Sequence, residues 1–392
     1  MTFTDLSGII LWTIQIIIGF NLIFPLILYI WWKLKSPKSR VKPVTIQEKD
    51  FAVIVTAYEQ TSFIPKVVES ILKVNYSNYL VYIVADKCTP NPDLNFNDER
   101  VNVLFPPEVI ASNTGSHFYA INNFIREHEV LMIVDSDNLL DSDIVKELNT
   151  SLSSGFEAVQ GIREAKNLDT NFACLDAARD IYYHFYDGKI LFQVGSSATL
   201  AGSGMAFSTI LYRQSLEHLD IKGAGFDKVL QAQILKAGKR IAFNEKAIIY
   251  DEKTSKSDQL VNQRSRWINT WFRYFKFGFG IIGRGIINFN INQFVFGLIT
   301  LRPPLFIFLL LSCLCMFINL FFYPLVSLAW LIALLLFVTG FIVALKSNPT
   351  DKRIYQALRS IPKFIFFQLI SLTKAASANK RSVATKHQFK EQ

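Results

Sequence analysis

The chain has 392 residues, room for one large domain or two smaller ones, with 41 Lys and Arg against 32 Asp and Glu for a net charge of +9. It is 51% hydrophobic with a mean hydropathy of +0.26, high for a soluble protein. Four cysteines without a CxxC and five scattered histidines exclude a disulfide framework and a zinc site, and no nucleic-acid motif accompanies the charge, so anionic lipid head groups explain it better than nucleic acid.

The first element is a run without any charged residue from Leu6 to Trp32. It is long enough to cross a bilayer, which takes roughly 20 apolar residues, and too long for a signal-peptide core of roughly 7–15. Residues 33–50 form a basic linker with Lys33, Lys35, Lys38, Arg40 and Lys42, broken by Pro37 and Pro43. A polar domain follows over residues 51–266. Phe51 to Ala57 reads as a buried strand, Ile64 to Val74 as a helix, and Leu80 to Ala85 and Val101 to Phe105 as strands. Phe118 to Arg126 reads as a helix, Val130 to Val134 as a strand that Asp135 closes, and Ile144 to Leu152 as a helix started by Asp141 and Asp143. This alternation predicts an α/β fold with a mostly parallel sheet that binds nucleotides.

Residues 267–304 change character. Trp267, Trp271, Phe272, Phe275, Phe277 and Phe279 mix with Arg266, Arg273, Lys276 and Arg284, a composition that suits a helix lying in the membrane interface or one packed on the domain. Residues 305–346 predict two further spans broken at Tyr323-Pro324, and residues 347–392 a basic tail in which Phe364-Ile-Phe-Phe367 is a second membrane-contacting stretch. Both basic flanks, after Trp32 and from Lys346 onward, place the polar domain and the tail in the cytoplasm by the positive-inside rule.

Four features bear on chemistry. Asp135-Ser136-Asp137 follows a buried strand, where an α/β sheet meets its ligand. Two carboxylates there can hold a hard divalent cation, Mg or Mn, although Asp and Asn also serve turns and caps. Tyr58, Glu59 and Asp86 follow the first two strands; Tyr58 could stack on a base and Asp86 could accept hydrogen bonds from a base edge. Asp227 opens a helix that Gly238 ends, as an N-cap or as a general base kept ionised by the helix dipole. Gln263-Arg264-Ser265-Arg266-Trp267 offers two guanidinium groups for diphosphate oxygens and a Trp for a sugar ring, or else a basic membrane flank.

Together these strings resemble the membrane-integrated family-2 glycosyltransferases, a group that includes cellulose synthase, hyaluronan synthase, chitin-oligosaccharide synthases and ceramide glucosyltransferase. Val55-Thr-Ala-Tyr-Glu59 and Val84-Ala-Asp86 resemble the two donor-binding motifs, and Asp135-Ser-Asp137 the DxD metal site. Gly202-Ser-Gly-Met205 resembles the acceptor-side loop, Asp227 the Asp of T-E-D, and Gln263 to Trp267 the Q-x-x-R-W string. Gln160-Gly-Ile-Arg163 and Asn167 are also similar to a family segment.

The resemblance implies a GT-A fold and an inverting transfer from a UDP-sugar. Ala57, Tyr58, Glu59, Asp86, Asp135, Gln263, Arg266 and Trp267 would form the donor side, with Tyr58 and Asp86 at the uracil. Asp135 and Asp137 would place Mg or Mn on the diphosphate, and Asp227 would deprotonate the acceptor hydroxyl. Arg266 would help stabilise the departing UDP, and Trp267 would also line the acceptor site. Two positions depart from the pattern: Phe226 replaces the acidic residue of T-E-D, and Ser116 stands where many members carry Lys. The expected activity is extension of a glycan at the cytoplasmic membrane face. Single-sugar transfer to a lipid or lipid-linked acceptor is the alternative, and a non-catalytic UDP-binding scaffold is a third reading. Three spans are few for a secretion channel unless protomers assemble as a homo-oligomer.

Overall fold

A computed structural model describes residues 6–35, 46–221, 223–376 and 378. Lys38, Arg40 and Lys42 of the linker and the last part of the tail lie outside the described residues. The first helix, α1 (Leu6–Lys35), is followed by β1 (Phe51–Tyr58), α2 (Ile64–Leu72), β2 (Tyr79–Asp86), β3 (Val101–Leu104), α3 (Asn113–Asn122) and β4 (Val130–Asp135). Next come β5 (Leu139–Leu140), α4 (Ile144–Ser153), β6 (Ala158–Ala165) and α5 (Asn171–Tyr183), which runs through a π-helical turn (His184–Ile190) into α6 (Leu191–Gln193). β7 (Met205–Ser208), α7 (Thr209–Leu216), α8 (Phe226–Lys236) and β8 (Ile241–Asp251) complete the sheet domain. The remainder is helical: α9 (Ser257–Tyr274), α10 (Phe277–Ile287), α11 (Ile291–Leu301), α12 (Leu305–Phe322), α13 (Pro324–Lys346), α14 (Lys352–Ala357) and α15 (Ile361–Lys374).

The eight strands lie in the order β3-β2-β1-β4-β7-β6-β8-β5, a mixed sheet in which β7 runs antiparallel to both neighbours. β1, β2 and β4 are parallel, and their register sets Tyr58 opposite Asp86 and Thr56 opposite Asp135. Tyr58, Asp86 and Asp135 therefore share one carboxyl edge. These strands are buried on both faces, which is why they read as continuous apolar runs.

The third helix departs from expectation. It starts at Asn113 rather than Phe118, because the Ser112 hydroxyl accepts from the Gly115 N–H and caps it, and it ends at Asn122. Ile125 lies beyond it, with its N–H donated to the Tyr82 hydroxyl.

Helices α1, α12 and α13 are long and apolar enough to cross a membrane. Gln15 of α1 ties them together: its Oε1 accepts from Asn319 Nδ2 of α12 at 2.7 Å and from Trp330 Nε1 of α13 at 3.0 Å. Polar side chains among spans persist where they are paired in this way. The sheet domain is anchored to them by Tyr186 of the π-turn, whose hydroxyl donates to the Gly340 carbonyl at 2.8 Å.

The segment expected as one interfacial helix is divided among three: the end of α9, then α10 and α11. α9 continues across residue 266 to Tyr274, and α10 begins at Phe277. Trp267, Trp271 and Phe275 line an internal cavity, whereas Phe279, Ile287 and Phe289 are exposed. In the tail, Phe364 and Phe367 pack on Phe172 and Phe366 is exposed, so α15 joins the domain to the helical layer.

Candidate active site

A cavity of about 1310 Å³ opens at the carboxyl edge of β1, β2 and β4. Ala57, Tyr58, Asp86, Asp135, Asp137, Asp227, Gln263, Arg266 and Trp267 all line it. Of the sequence-predicted residues only Glu59 does not. It has a left-handed backbone (φ 60°), and its carboxylate pairs with Lys87 Nζ at 2.6 Å. Lys87 also sits 5.7 Å from the Tyr58 ring centre, so a base stacking on Tyr58 would use the other face.

Asp86 is buried, and its two oxygens accept from the backbone N–H groups of Ile110 (3.0 Å) and Ala111 (2.7 Å). It thereby fixes the loop leading into α3. Each oxygen keeps a second lone pair for a base edge.

Asp135 closes β4, where its backbone N–H donates to Ser203 Oγ at 3.1 Å. That bond ties the acidic turn to the Gly202–Gly204 loop, which Gln160 holds by donating to the Ser203 carbonyl and accepting from the Ala201 N–H. Asp137 is buried, and its Oδ1 accepts from Asn138 Nδ2 at 3.1 Å. Among the described residues no group of three or more His, Cys, Asp or Glu side chains could hold a metal ion. A pair of hard carboxylate oxygens on one wall of a ligand-sized cavity still fits a divalent cation that takes its other oxygens from a diphosphate and water.

Asp227 is the second residue of α8, and the helix cap is Gly225, at φ 104°. A Cβ on Gly225 would lie 2.6 Å from Thr270 Cγ2 and 2.7 Å from Tyr274 Cε2. Glycine thus lets this turn press against α9, which brings Asp227 to the wall carrying Gln263, Arg266 and Trp267. Lys228 Nζ lies 3.1 Å from Asp227 Oδ2 and donates to the Leu200 carbonyl. Phe226 is buried edge-on to His117, so the departure from T-E-D is an apolar anchor beneath the Asp.

The Q-x-x-R-W string folds into the body of α9. Gln263 accepts from the Thr254 hydroxyl, and burial draws the Arg266 guanidinium below its usual value. The Trp267 ring centre lies 4.0 Å from the Arg264 guanidinium carbon and 4.3 Å from that of Arg179.

Sequence reasoning missed the ionic cluster that continues this wall, in which Arg163, Arg179, Asp180, Asp251 and Arg264 also line the cavity. Arg264 pairs with Asp176, and Arg179 with Asp176 and Asp180. Lys253 bridges Asp180 (2.6 Å) and Asp251 (2.8 Å), and Arg163 joins Asp251 at 3.0 Å. Burial opposes charge on the Asp251 carboxyl, but Arg163 and Lys253 hold it down at about 2. Burial and then the facing Arg179 bring Arg264 down to about 10. The signal was available as Asp176, Arg179 and Asp180, charges three and four residues apart on one helical face.

Residues 48–270 match a family model described as glycosyltransferase like family 2. Among solved structures, the chain is similar to the mannosyltransferase PcManGT from Pyrobaculum calidifontis, determined in complex with GDP-Man and Mn2+: TM-score 0.57, 14% identity, 93% of this chain and 98% of that one covered. It is also similar to residues 1–349 of S. aureus TarS, with a TM-score of 0.41, 14% identity and coverage of 84% and 90%. At 14% identity the likeness to PcManGT speaks for the fold alone, a GT-A-like mixed sheet. No curated protein gives a significant match.

Proposed function

The chain belongs to the family-2-like glycosyltransferases, and from that premise we propose that it transfers a single sugar, with inversion, from a nucleoside-diphosphate sugar to a lipid or lipid-linked hydroxyl at the cytoplasmic face of a membrane. One observation carries the reading. The cavity that holds Asp135, Asp137 and Asp227 is also lined by apolar side chains of the candidate spans, Phe306 and Leu309 of α12 and Phe341 and Ile342 of α13, and by Phe364 and Ile365 of α15. An acceptor chain that is polar throughout would gain nothing from that wall, whereas a lipid tail would be buried by it. This favours single transfer over the glycan-extending reading.

Asp135 and Asp137 would hold Mg or Mn, which when bound would neutralise charge on the donor diphosphate. Tyr58 and Asp86 would receive the base of a UDP-sugar. Asp227 would accept the proton of the acceptor hydroxyl as that oxygen forms its bond to the anomeric carbon. The bond from that carbon to the diphosphate oxygen breaks on the opposite face, and the electron pair leaves with the nucleotide. Arg266 would stabilise the charge that develops there.

The test is a screen of nucleotide release by membrane-embedded protein across UDP-sugars and GDP-mannose with each metal, followed by sizing of the product. One added sugar on a lipid supports the proposal. A ladder of polymer products would overturn single transfer, and absence of donor turnover with every acceptor would favour a scaffold.

A further inference from the structure

At the junction between the acidic site and the apolar wall lies a buried ion pair that no motif covers. Asp187 sits in the π-helical turn, a local geometry frequent at functional sites. Its Oδ2 pairs with Arg302 Nη2, from the segment just ahead of α12. Asp187 is 3% exposed and Arg302 8%, and both line the cavity. The pair is incompletely satisfied: Asp187 Oδ1 and Arg302 Nη1 have no hydrogen-bond partner. Leaving such groups unmade costs about 1–3 kcal/mol each, so their persistence calls for a reason.

A short path of contacts connects the pair to the proposed base. The Asp187 carbonyl accepts from the Thr199 N–H, the Leu200 carbonyl accepts from Lys228 Nζ, and Lys228 faces Asp227. Charge at the junction is already balanced, since Asp187 answers Arg302 and Asp227 answers Lys228. A phosphate would need surplus positive charge there. A phosphate oxygen, moreover, attacks already ionised and needs no base, whereas a hydroxyl does. An unused donor and an unused acceptor on one ion pair are the complement of hydroxyl groups, each of which can both accept and donate.

We infer that Asp187 and Arg302 form the head-group subsite for the acceptor, and that this acceptor is an uncharged, hydroxyl-headed lipid such as a glycosylated or glycerol-headed diacyl lipid, its tail lying along α12, α13 and α15. The inference rests on the lipid-acceptor reading above.

The experiment uses the full chain in lipid nanodiscs with two photoreactive probes of matched tail length, a monoglycosyl diacylglycerol and a polyprenyl phosphate. The glycosyl lipid is expected to label peptides carrying Phe341–Ile342 and Ile365 at least tenfold more than the phosphate lipid. Asp187→Asn should raise its half-labelling concentration at least tenfold. Because Asp187→Asn can also unfold the junction, the second variant is Ile342→Trp, which narrows the tail path. It should lower the ratio of kcat/KM on the glycosyl lipid to that on its water-soluble head analogue at least tenfold. Equal or stronger labelling by the phosphate lipid, unchanged labelling in folded Asp187→Asn, or no labelling of these peptides by either probe would overturn the subsite. Labelling does not require turnover, so it is read separately from the nucleotide release that tests the glycosyltransferase reading.

Discussion

The side-chain amide of Asn138 donates to Asp137 Oδ1 at 3.1 Å, and the same nitrogen lies 3.2 Å from Asp251 Oδ1. Asn138 is fully buried, so one amide joins the proposed cation ligand to the ionic cluster on the same cavity wall. Partners that orient a metal ligand typically contribute about 10–100-fold in metal affinity. Asn138→Ala should therefore weaken Mn2+ binding by about tenfold or more, read by electron paramagnetic resonance titration of the free ion. Unchanged Mn2+ affinity in a folded variant would remove Asn138 from the site.

Asp227→Asn keeps the shape of the side chain and removes the proposed proton acceptor. General-base contributions are about 10²- to 10⁴-fold. Acceptor-dependent nucleotide release should fall by that factor, while nucleotide-diphosphate binding by calorimetry stays within about twofold. Equal release by both proteins would remove Asp227 from the reaction.

Much of this site was legible in the sequence because its strands are short apolar runs ending in polar residues, and the parallel register of β1, β2 and β4 then brings those ends to one edge. Asp135 and Asp137 needed only that local pattern. The outward turn of Glu59 was not legible, since it depends on a left-handed backbone and on Lys87 from the neighbouring strand end. The start of α3 was missed because its signal is a capping Ser112, not an apolar repeat. The long-range pairs of the ionic cluster and the Asp187–Arg302 pair join residues 73 to 115 positions apart, which only folding brings together.

His117 gives stability a pH dependence. It is 1% exposed, its Nδ1 lies 2.7 Å from the Tyr212 hydroxyl, and burial lowers its pKa from 6.5 to about 3. Between those values the unfolded chain binds the proton and the folded chain does not. Stability is complete above about 6.5 and is lost as the pH falls towards about 3, at up to about 1.4 kcal/mol per pH unit. His117→Gln should flatten this slope in thermal melts between pH 7 and pH ~4. A slope identical to wild type would show that other groups set it.

Lys253 is 2% exposed, lies between Asp180 and Asp251, and is clamped through its backbone by Asn167. Removing one partner from a buried ionic group leaves uncompensated charge and costs about 3–5 kcal/mol. Lys253→Met should lower the melting temperature by several degrees. The double change Lys253→Met with Asp180→Asn should recover part of the loss, because it removes the carboxylate oxygen that Lys253 bonds, while Arg179, the other partner of Asp180, keeps Asp176. If the double variant is less stable than the single one by the full cost of a second site, the two residues do not act as a pair.

Gly225 links backbone conformation to the position of the proposed base. Its φ of 104° is disfavoured for any residue with a Cβ, and an added Cβ would sit 2.6 Å from Thr270 Cγ2. The conformational term alone is about 1–3 kcal/mol, and relieving the overlap requires the turn ahead of α8 to move away from α9. Asp227, two residues on, would move with it. A displacement of about 1 Å at a reacting group can cost about 10²-fold in rate. Gly225→Ala should therefore lower kcat by about 10²-fold while changing the KM for donor little, since the residues proposed to hold the donor lie on other elements. Thr270→Ala beside it should restore part of the rate by making room for the methyl group. A variant that loses stability but keeps wild-type kcat would show that the turn's contact with α9 does not set the position of Asp227.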